Sequence, residues 1–395
     1  MKRFSFCLFV LAVIAMAECL DNQEILQNGN NKFTARMFTE VVEKNKDKSV
    51  VLSAFSVLTP LAQLALASEG PSHDEILNAI GFPDDKTTNE IFSLINEKDS
   101  SIQGIELKKA SKLYIPLGYQ VQDEFAAVSR SVYRTEIANV NFGDPENTAK
   151  EINTWVEEQT NHRIKDLVAP NAIGPDTRGL LCNALYFKGI WKHRFVGLAT
   201  RSEKFYVTKT NTMRIPTMHN NEEYAYGESD RLKSKLLNMA YVGDQSSLLL
   251  VLPNDIEGIG ELLEKLKDPN ILDEETKGMF NTEVDVSIPK FKIETTTNLR
   301  EVLEKMNVTK LFTGAANLNK LLKTDENLYI SDAVQKAFIV VNEEGAEAAA
   351  ANYFGISATS AFIGGPRFVF TADHPFAFFL KVRGDTLFNG IFYGS

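Results

Sequence analysis

The sequence predicts an α+β protein with antiparallel or mixed sheets, folded as one large domain. Three observations lead there: helical apolar periodicity crowds into the first half of the chain, strand-like runs crowd into the second, and no Pro/Gly/Ser-rich linker divides them. Regular strand–helix alternation, the mark of a doubly wound parallel sheet, is missing. Length alone, at 395 residues, would have favoured two domains.

The elements follow in order. Lys2 and Arg3 precede an apolar run from Phe4 to Met16, and Ala15-Met16-Ala17 offers a small-x-small cleavage site. This pattern predicts a signal peptide over residues 1–17 and a mature, secreted, extracellular chain over 18–395. The run is too short for an ordinary membrane span. From Asn31 to Glu69 the pattern reads helix, short strand, helix. Phe33, Met37 and Val41 recur at helical spacing, Val50-Val51-Leu52 is strand-like, and Ser53 is placed to cap a helix carrying Leu58, Leu61, Leu64 and Leu66. Helical periodicity returns in Asp74–Ile80, Asn89–Ile95, Thr148–Leu167 and Asn298–Met306. Strands are predicted at Leu180–Phe187, Lys235–Tyr241, Ser247–Leu252, Val284–Ile288, Phe338–Val341 and Phe368–Phe370.

Composition excludes more than it assigns. A formal net charge of −10 gives a nucleic-acid partner no electrostatic support across the chain as a whole. The basic groups Lys108-Lys109 and Arg231, Lys233, Lys235 are short and interleaved, more like solvated edges than a polyanion site. No G-x-S-x-G elbow, H-E-x-x-H or C-x-x-C occurs, so neither hydrolase nor metal chemistry is indicated. His374, between Asp373 and Pro375, reads as structural because nothing nearby supplies a nucleophile. Cys19 and Cys182 remain after signal removal, and their spacing leaves open whether they pair. Asn307-Val308-Thr309 is a glycosylation sequon.

The informative stretch is Glu343-Glu344-Gly345-Ala346-Glu347-Ala348-Ala349-Ala350-Ala351. Its alanines favour helix by propensity. It follows the β-rich Phe338-Ile339-Val340-Val341, however, and runs into Asn352-Tyr353-Phe354-Gly355. Read as a strand, one face carries Ala346, Ala348, Ala350, Asn352, Phe354, Ile356 and Ala358, which is apolar apart from Asn352. Small side chains at its start would let the segment enter between two strands already in place. A charge at Ala346 or Ala348 would have to be buried on entry, at a cost of several kcal/mol. The same residues can therefore be an exposed, cleavable loop or a buried strand.

At this point the segment resembles the hinge of an inhibitory serpin, formed by Glu344, Gly345, Ala346, Glu347, Ala348, Ala349, Ala350 and Ala351. Four further segments resemble the family in its own order. Val51-Leu52-Ser53-Ala54-Phe55-Ser56 is similar to the shutter, and Ile152–Glu157 with Ile164–Val168 to the helix across the main sheet. Asn183–Trp191 is similar to the strand ending at the breach tryptophan, and Phe370–Phe376 to the C-terminal signature. The flavour is that of insect, lepidopteran haemolymph antitrypsin-type serpins.

The resemblance implies a serpin fold with three β-sheets, about eight or nine helices and an exposed reactive-centre loop at about 343–365. It implies a suicide substrate for serine proteases rather than an enzyme, acting as a monomer without cofactor, metal, nucleic acid or membrane. Family spacing from Gly345 puts the cleaved bond between Thr359 and Ser360, which suits an elastase-like target. Ala358 and Phe362 are the alternatives, the latter for a chymotrypsin-like enzyme. Gln335 stands where the family's shutter carries a histidine, within expected reach of Ser56 or Asn183. The competing reading is a non-inhibitory carrier or storage protein on the same fold.

Overall fold

The computed structural model describes residues 2–98, 102–324, 326, 328–345 and 368–394, with side chains omitted for 2–21 and 96–98. In chain order the elements begin with α1 (Lys2–Lys44), β1 (Val50–Leu52), α2 (Ala54–Ala67), α3 (Gly70–Ile80), α4 (Asp85–Lys98), β2 (Ile105–Pro116), α5 (Asp123–Ser131), β3 (Glu136–Val140), α6 (Pro145–Gln159) and β4 (Leu180–Gly189). Then come β5 (Arg201–Tyr206), β6 (Thr212–Ser229), β7 (Ser234–Ala240), β8 (Ser246–Pro253), α7 (Ile259–Lys265), α8 (Ile271–Glu275), β9 (Phe280–Pro289), β10 (Phe291–Asn298) and α9 (Leu299–Lys305). The chain closes with β11 (Asp332–Val341), β12 (Phe368–Thr371), β13 (Phe376–Val382) and β14 (Asp385–Phe392).

The strands form a five-stranded sheet, β10-β11-β4-β2-β3, and a nine-stranded one. In the second, the 18-residue β6 pairs with β5 and β9 along one stretch and with β7 along the other. The expected second and third sheets are thereby fused through one continuous strand. Aromatic contacts weld the layers together: Phe187 meets Phe388 edge-on and Phe291 stacks on Phe392. Helix α2 is wedged beside them, buried along nearly its whole length and touching β2, β4 and β14.

The predicted elements are present with shifted ends, and the helix predicted over Thr148–Leu167 is the informative correction. It stops at Gln159, because Thr160 turns its hydroxyl onto Val156 O at 2.7 Å and Asn161 and His162 take positive φ of 51° and 59°. The remaining apolar residues, Ile164, Leu167 and Val168, belong to a strap that packs on the five-stranded sheet beside Ile152 and Val156. Reciprocal bonds between Asn153 and the Val168 backbone, 2.8 and 2.9 Å, hold the strap to α6.

Candidate functional site

Two places on the five-stranded sheet gather the sequence-marked residues. At its middle, β11 lies parallel to β4 with Gln335 opposite Asn183. The start of α2 meets them there. Ser53 caps that helix, accepting from Ser56 N–H at 3.2 Å, and this fixes both serines against the sheet. Gln335 Oε1 accepts from Ser53 N–H at 3.1 Å, and its Nε2 stands 2.8 Å from Ser53 O, 2.9 Å from Asn183 Oδ1 and 3.1 Å from Ser56 Oγ. Ser56 Oγ lies 2.7 Å from Asn183 Oδ1, and Asn183 donates back to Ser56 O at 3.1 Å. All four residues are buried. An amide offers donor and acceptor on adjacent atoms without any charge change, so Gln335 satisfies the site independently of pH.

The second place is the end of the same two strands. The parallel pairing ends at Phe338 opposite Tyr186, while β11 continues to Val341 and β4 to Gly189, each held by its outer neighbour. Beyond this gap the chain reverses. Asn342 N–H donates to Gly345 O at 2.9 Å and Gly345 N–H to Asn342 O at 3.2 Å. Gly345 is bridged antiparallel both to Asn342, on the continuation of β11, and to Ile190, on the continuation of β4. Its φ of +132° and the Gly189 carbonyl pressed against it leave no room for a side chain.

Trp191 anchors this turn. Trp191 is buried, stacked on Tyr241 at 4.3 Å with the planes 9° apart, and its indole N–H donates to Asn342 O at 2.9 Å. Its backbone N–H reaches Glu344 O at 2.9 Å, and Phe195 N–H reaches Glu343 O at 2.8 Å. The Glu343 carboxylate is gripped by Lys290 at 2.8 Å and by the Thr200 hydroxyl at 2.9 Å. Burial opposes ionisation of Glu343, but the bonds from Lys290, its own backbone and Thr200 outweigh it and hold the carboxyl below its ordinary range.

Sequence reasoning placed Glu343 at the start of the informative stretch but missed its partners Lys290 and Thr200, and missed Asn342 and Tyr241. Nothing in local spacing joins Lys290 to Glu343 across 53 positions, so only the folded chain shows the pair. The residues expected to continue the hinge, Ala346 to Ala351, and the expected cleavage-site residues Ala358, Thr359, Ser360 and Phe362, lie outside the described residues.

Other marked residues take plain roles. His374 is buried with both ring nitrogens engaged, on Asp373 and on Pro253 O, each at 2.8 Å. Cys182 is a buried free thiol facing the α6 side, and burial pushes its pKa up. Asn307 is exposed just past α9 with φ of +70°. Arg231 pairs with Asp268, Glu274 and Glu275, Lys233 pairs with Glu261, and Lys235 donates to Val369 O. These groups are spent within the molecule. Among the described residues no cluster of His, Cys, Asp or Glu could hold a metal ion, and no helix is long and apolar enough to cross a membrane.

Residues 28–394 match the family model of the Serpin (serine protease inhibitor). The chain is 50% identical to the antitrypsin of Bombyx mori over 386 residues, covering 98% of each. It is 52% identical to antichymotrypsin-2 of the same species over 369 residues, 93% of this chain and 98% of that one. Among solved structures, Serpin48, a highly specific serpin in the insect Tenebrio molitor, aligns with a TM-score of 0.86 at 34% identity, covering 94% of this chain and 98% of the other.

Proposed function

The chain belongs to the serpin family of protease inhibitors, and from that premise we propose that it is a secreted, monomeric, single-use trap for serine proteases. The protease attacks the loop of residues 343–365, with Thr359–Ser360 as the cleaved bond and Ala358 or Phe362 as the next candidates. Thr359 suits a small, elastase-like pocket, and Phe362 would suit a chymotrypsin-like one. The freed segment enters between β11 and β4 while the enzyme is still held as an acyl ester. Removal of residues 1–17 and a glycan on Asn307 belong to the same reading.

The observation that carries it is the seating of Gly345 between the continuations of β11 and β4, antiparallel to each. Continuing from there, residues 346 onward would run antiparallel to both strands, which is the more stable pairing mode. The small residues Ala346, Ala348 and Ala350 would meet the apolar face without steric penalty. About a dozen new backbone bonds at roughly 1 kcal/mol each, plus apolar burial, give a gain on the order of 10 kcal/mol. Insertion of a reactive loop as a strand, with release of stored strain, is established behaviour for serpins as a family.

Incubation with pancreatic elastase and with chymotrypsin tests the proposal. A trap yields an SDS-resistant adduct of inhibitor and enzyme. A carrier or storage protein yields only a clipped chain, and that result would refute the inhibitory reading.

A further inference from the structure

The nine-stranded sheet forks at one point, and the fork holds a cavity of about 710 Å³. Strands β6 and β7 pair only as far as Ala225 opposite Asn238. Beyond that point β6 stays with β9, while Ala240 of β7 gives its carbonyl to Lys192 N–H at 3.0 Å. The register puts the floor residues on one face: Lys381 lies opposite Ser247, Ser247 opposite Ala240, and Asn238, two residues from Ala240, opposite Ala225. Small side chains at Ala225, Ala240 and Ser247 give the fork its depth.

Its walls are fixed before any ligand arrives. On one side stand Lys192 and His193, the former tied to Asp244 at 2.8 Å. On the other is the tight turn between β13 and β14, where Arg383 and Gly384 take φ of 51° and 94° and Arg383 N–H meets Gln245 O at 2.8 Å. No residue of α1 or α8 lines the cavity, and Lys381, held by Asp273 of α8 at 2.8 Å, borders it there. Small-molecule sites run from roughly 300 to 1,000 Å³ and are usually preformed, and this cavity meets both conditions.

The charges are sorted by end. Asp244 answers Lys192, Asp273 answers Lys381, and Glu222 faces His193 at 3.6 Å. What remains on the β6–β9 side is Glu223 and, directly opposite it, Glu283, both exposed and neither in an ion pair among the described residues. Like charges opposed on paired strands repel, so this end favours a cation. At the β13 end stands Arg383, whose Nε lies 3.4 Å from Gln245 Oε1 and whose guanidinium has further donors in its fork. From β13 to β6 is three strand spacings, about 14 Å.

We infer that this fork binds a short peptide with both ends free, its ammonium at Glu223 and Glu283 and its carboxylate at Arg383. At about 3.3–3.6 Å per residue, a peptide of roughly three or four residues bridges the two ends. Asn238 and Ser247 between them offer the neutral donors and acceptors that peptide groups require. Charge complementarity selects this occupant: a simple amine would leave Arg383 unanswered, and a simple carboxylate would leave the two glutamates so. The site uses no residue of the loop and stands or falls independently of the inhibitory reading.

The test is calorimetric titration of the full mature chain at low salt with tetraalanine, in its free, N-acetylated and C-amidated forms. The free peptide is expected to bind. Acetylation and Glu223→Gln should each weaken binding about tenfold, as loss of one charge-assisted bond would, and the two together should cost no more than either alone. Amidation and Arg383→Gln should behave in the same way at the other end. Ala240→Leu fills the floor without changing any charge and should abolish binding. Ser247→Leu repeats that test should the first variant lower the melting temperature. Absence of binding by the free peptide overturns the site, and equal binding of the capped peptides overturns the assignment of its ends. Binding that survives all of these substitutions places the peptide elsewhere, such as between β11 and β4, and overturns the site as well.

Discussion

Replacing Gln335 by methionine keeps an unbranched side chain of similar size and deletes every polar contact it makes at the middle of the five-stranded sheet. Ser53 N–H then loses its acceptor inside a fully buried environment, at about 1–3 kcal/mol. Ser53 O and Asn183 Oδ1 keep only the Ser56 hydroxyl within reach, at 3.1 and 2.7 Å, and its single proton serves one of them, adding about 1 kcal/mol. The sum is about 2–4 kcal/mol. At about 2.1 cal/mol per K per residue, a chain of this size melts with an entropy of about 0.8 kcal/mol per K, so the intact protein should melt about 3–5 °C lower. The contrast with the loop-cleaved form is the sharper test. A strand entering between β11 and β4 parts Gln335 from Asn183, which face each other across that pair. Gln335→Met should therefore cost the intact chain more than the cleaved one. Thermal melts of both forms, followed by the fluorescence of Trp155 and Trp191, decide it. An equal shift in the two forms, or none in the intact one, would refute the expectation that these contacts stabilise the sheet while β11 and β4 are still paired.

Three further outcomes are expected. Glu343→Gln should lower the stability of the intact chain by about 1 kcal/mol, since Lys290 is half-exposed and screened. Glu343 titrates below its ordinary 4.5, so its stabilisation is complete above about pH 4.5 and is lost as pH falls through the lower folded value. Melts between pH 7 and pH 3.5 should show the wild-type advantage shrinking as pH falls below about 4.5. Ala348→Glu places a charge on the face that must be buried, and should raise the number of inhibitor molecules consumed per enzyme severalfold while the loop is still cut, as titration of residual protease activity will show. Cys182 should resist a thiol reagent in the folded chain and react fully in denaturant, as expected for a thiol that is both buried and held protonated.

Much of the helical frame was legible because it rests on local signals. The spacing of Phe33, Met37 and Val41, and the Ser53 cap before an apolar run, are properties of neighbouring residues, and both are realised in α1 and α2. Strands whose pattern is set by distant partners were not. In β2, Lys108, Lys109 and Lys112 break the apolar alternation. Lys112 is nonetheless buried, its ammonium 4.0 Å from the Trp155 ring and 2.7 Å from Glu136, a solution that α6 and β3 supply. Strand β6 is polar through Asn220–Glu223, and only its pairing with β9 and β7 makes it continuous. The helix predicted to Leu167 failed for the opposite reason: apolar residues kept a helical rhythm after Thr160 because the strap also packs on the sheet.

The candidate site divides along the same line. Gly345 was singled out through its resemblance to a hinge residue, and its positive φ against the Gly189 carbonyl supplies a physical requirement for glycine there. Gln335 could be matched to its position along the strand, while its contacts with Ser53, Ser56 and Asn183 depend on three elements meeting. The grip of Lys290 and Thr200 on Glu343 depends on the β4–β5 turn and the end of β9 arriving together, which no window of sequence contains.

The central claim is that the backbone beyond Gly345 is more stable inside the sheet than outside it. Calorimetry of the intact chain and of the chain nicked in its loop measures this directly. A gain on the order of 10 kcal/mol over an unfolding entropy of about 0.8 kcal/mol per K raises the melting point of the nicked form by about 12 °C or more. Two forms that melt together would contradict it.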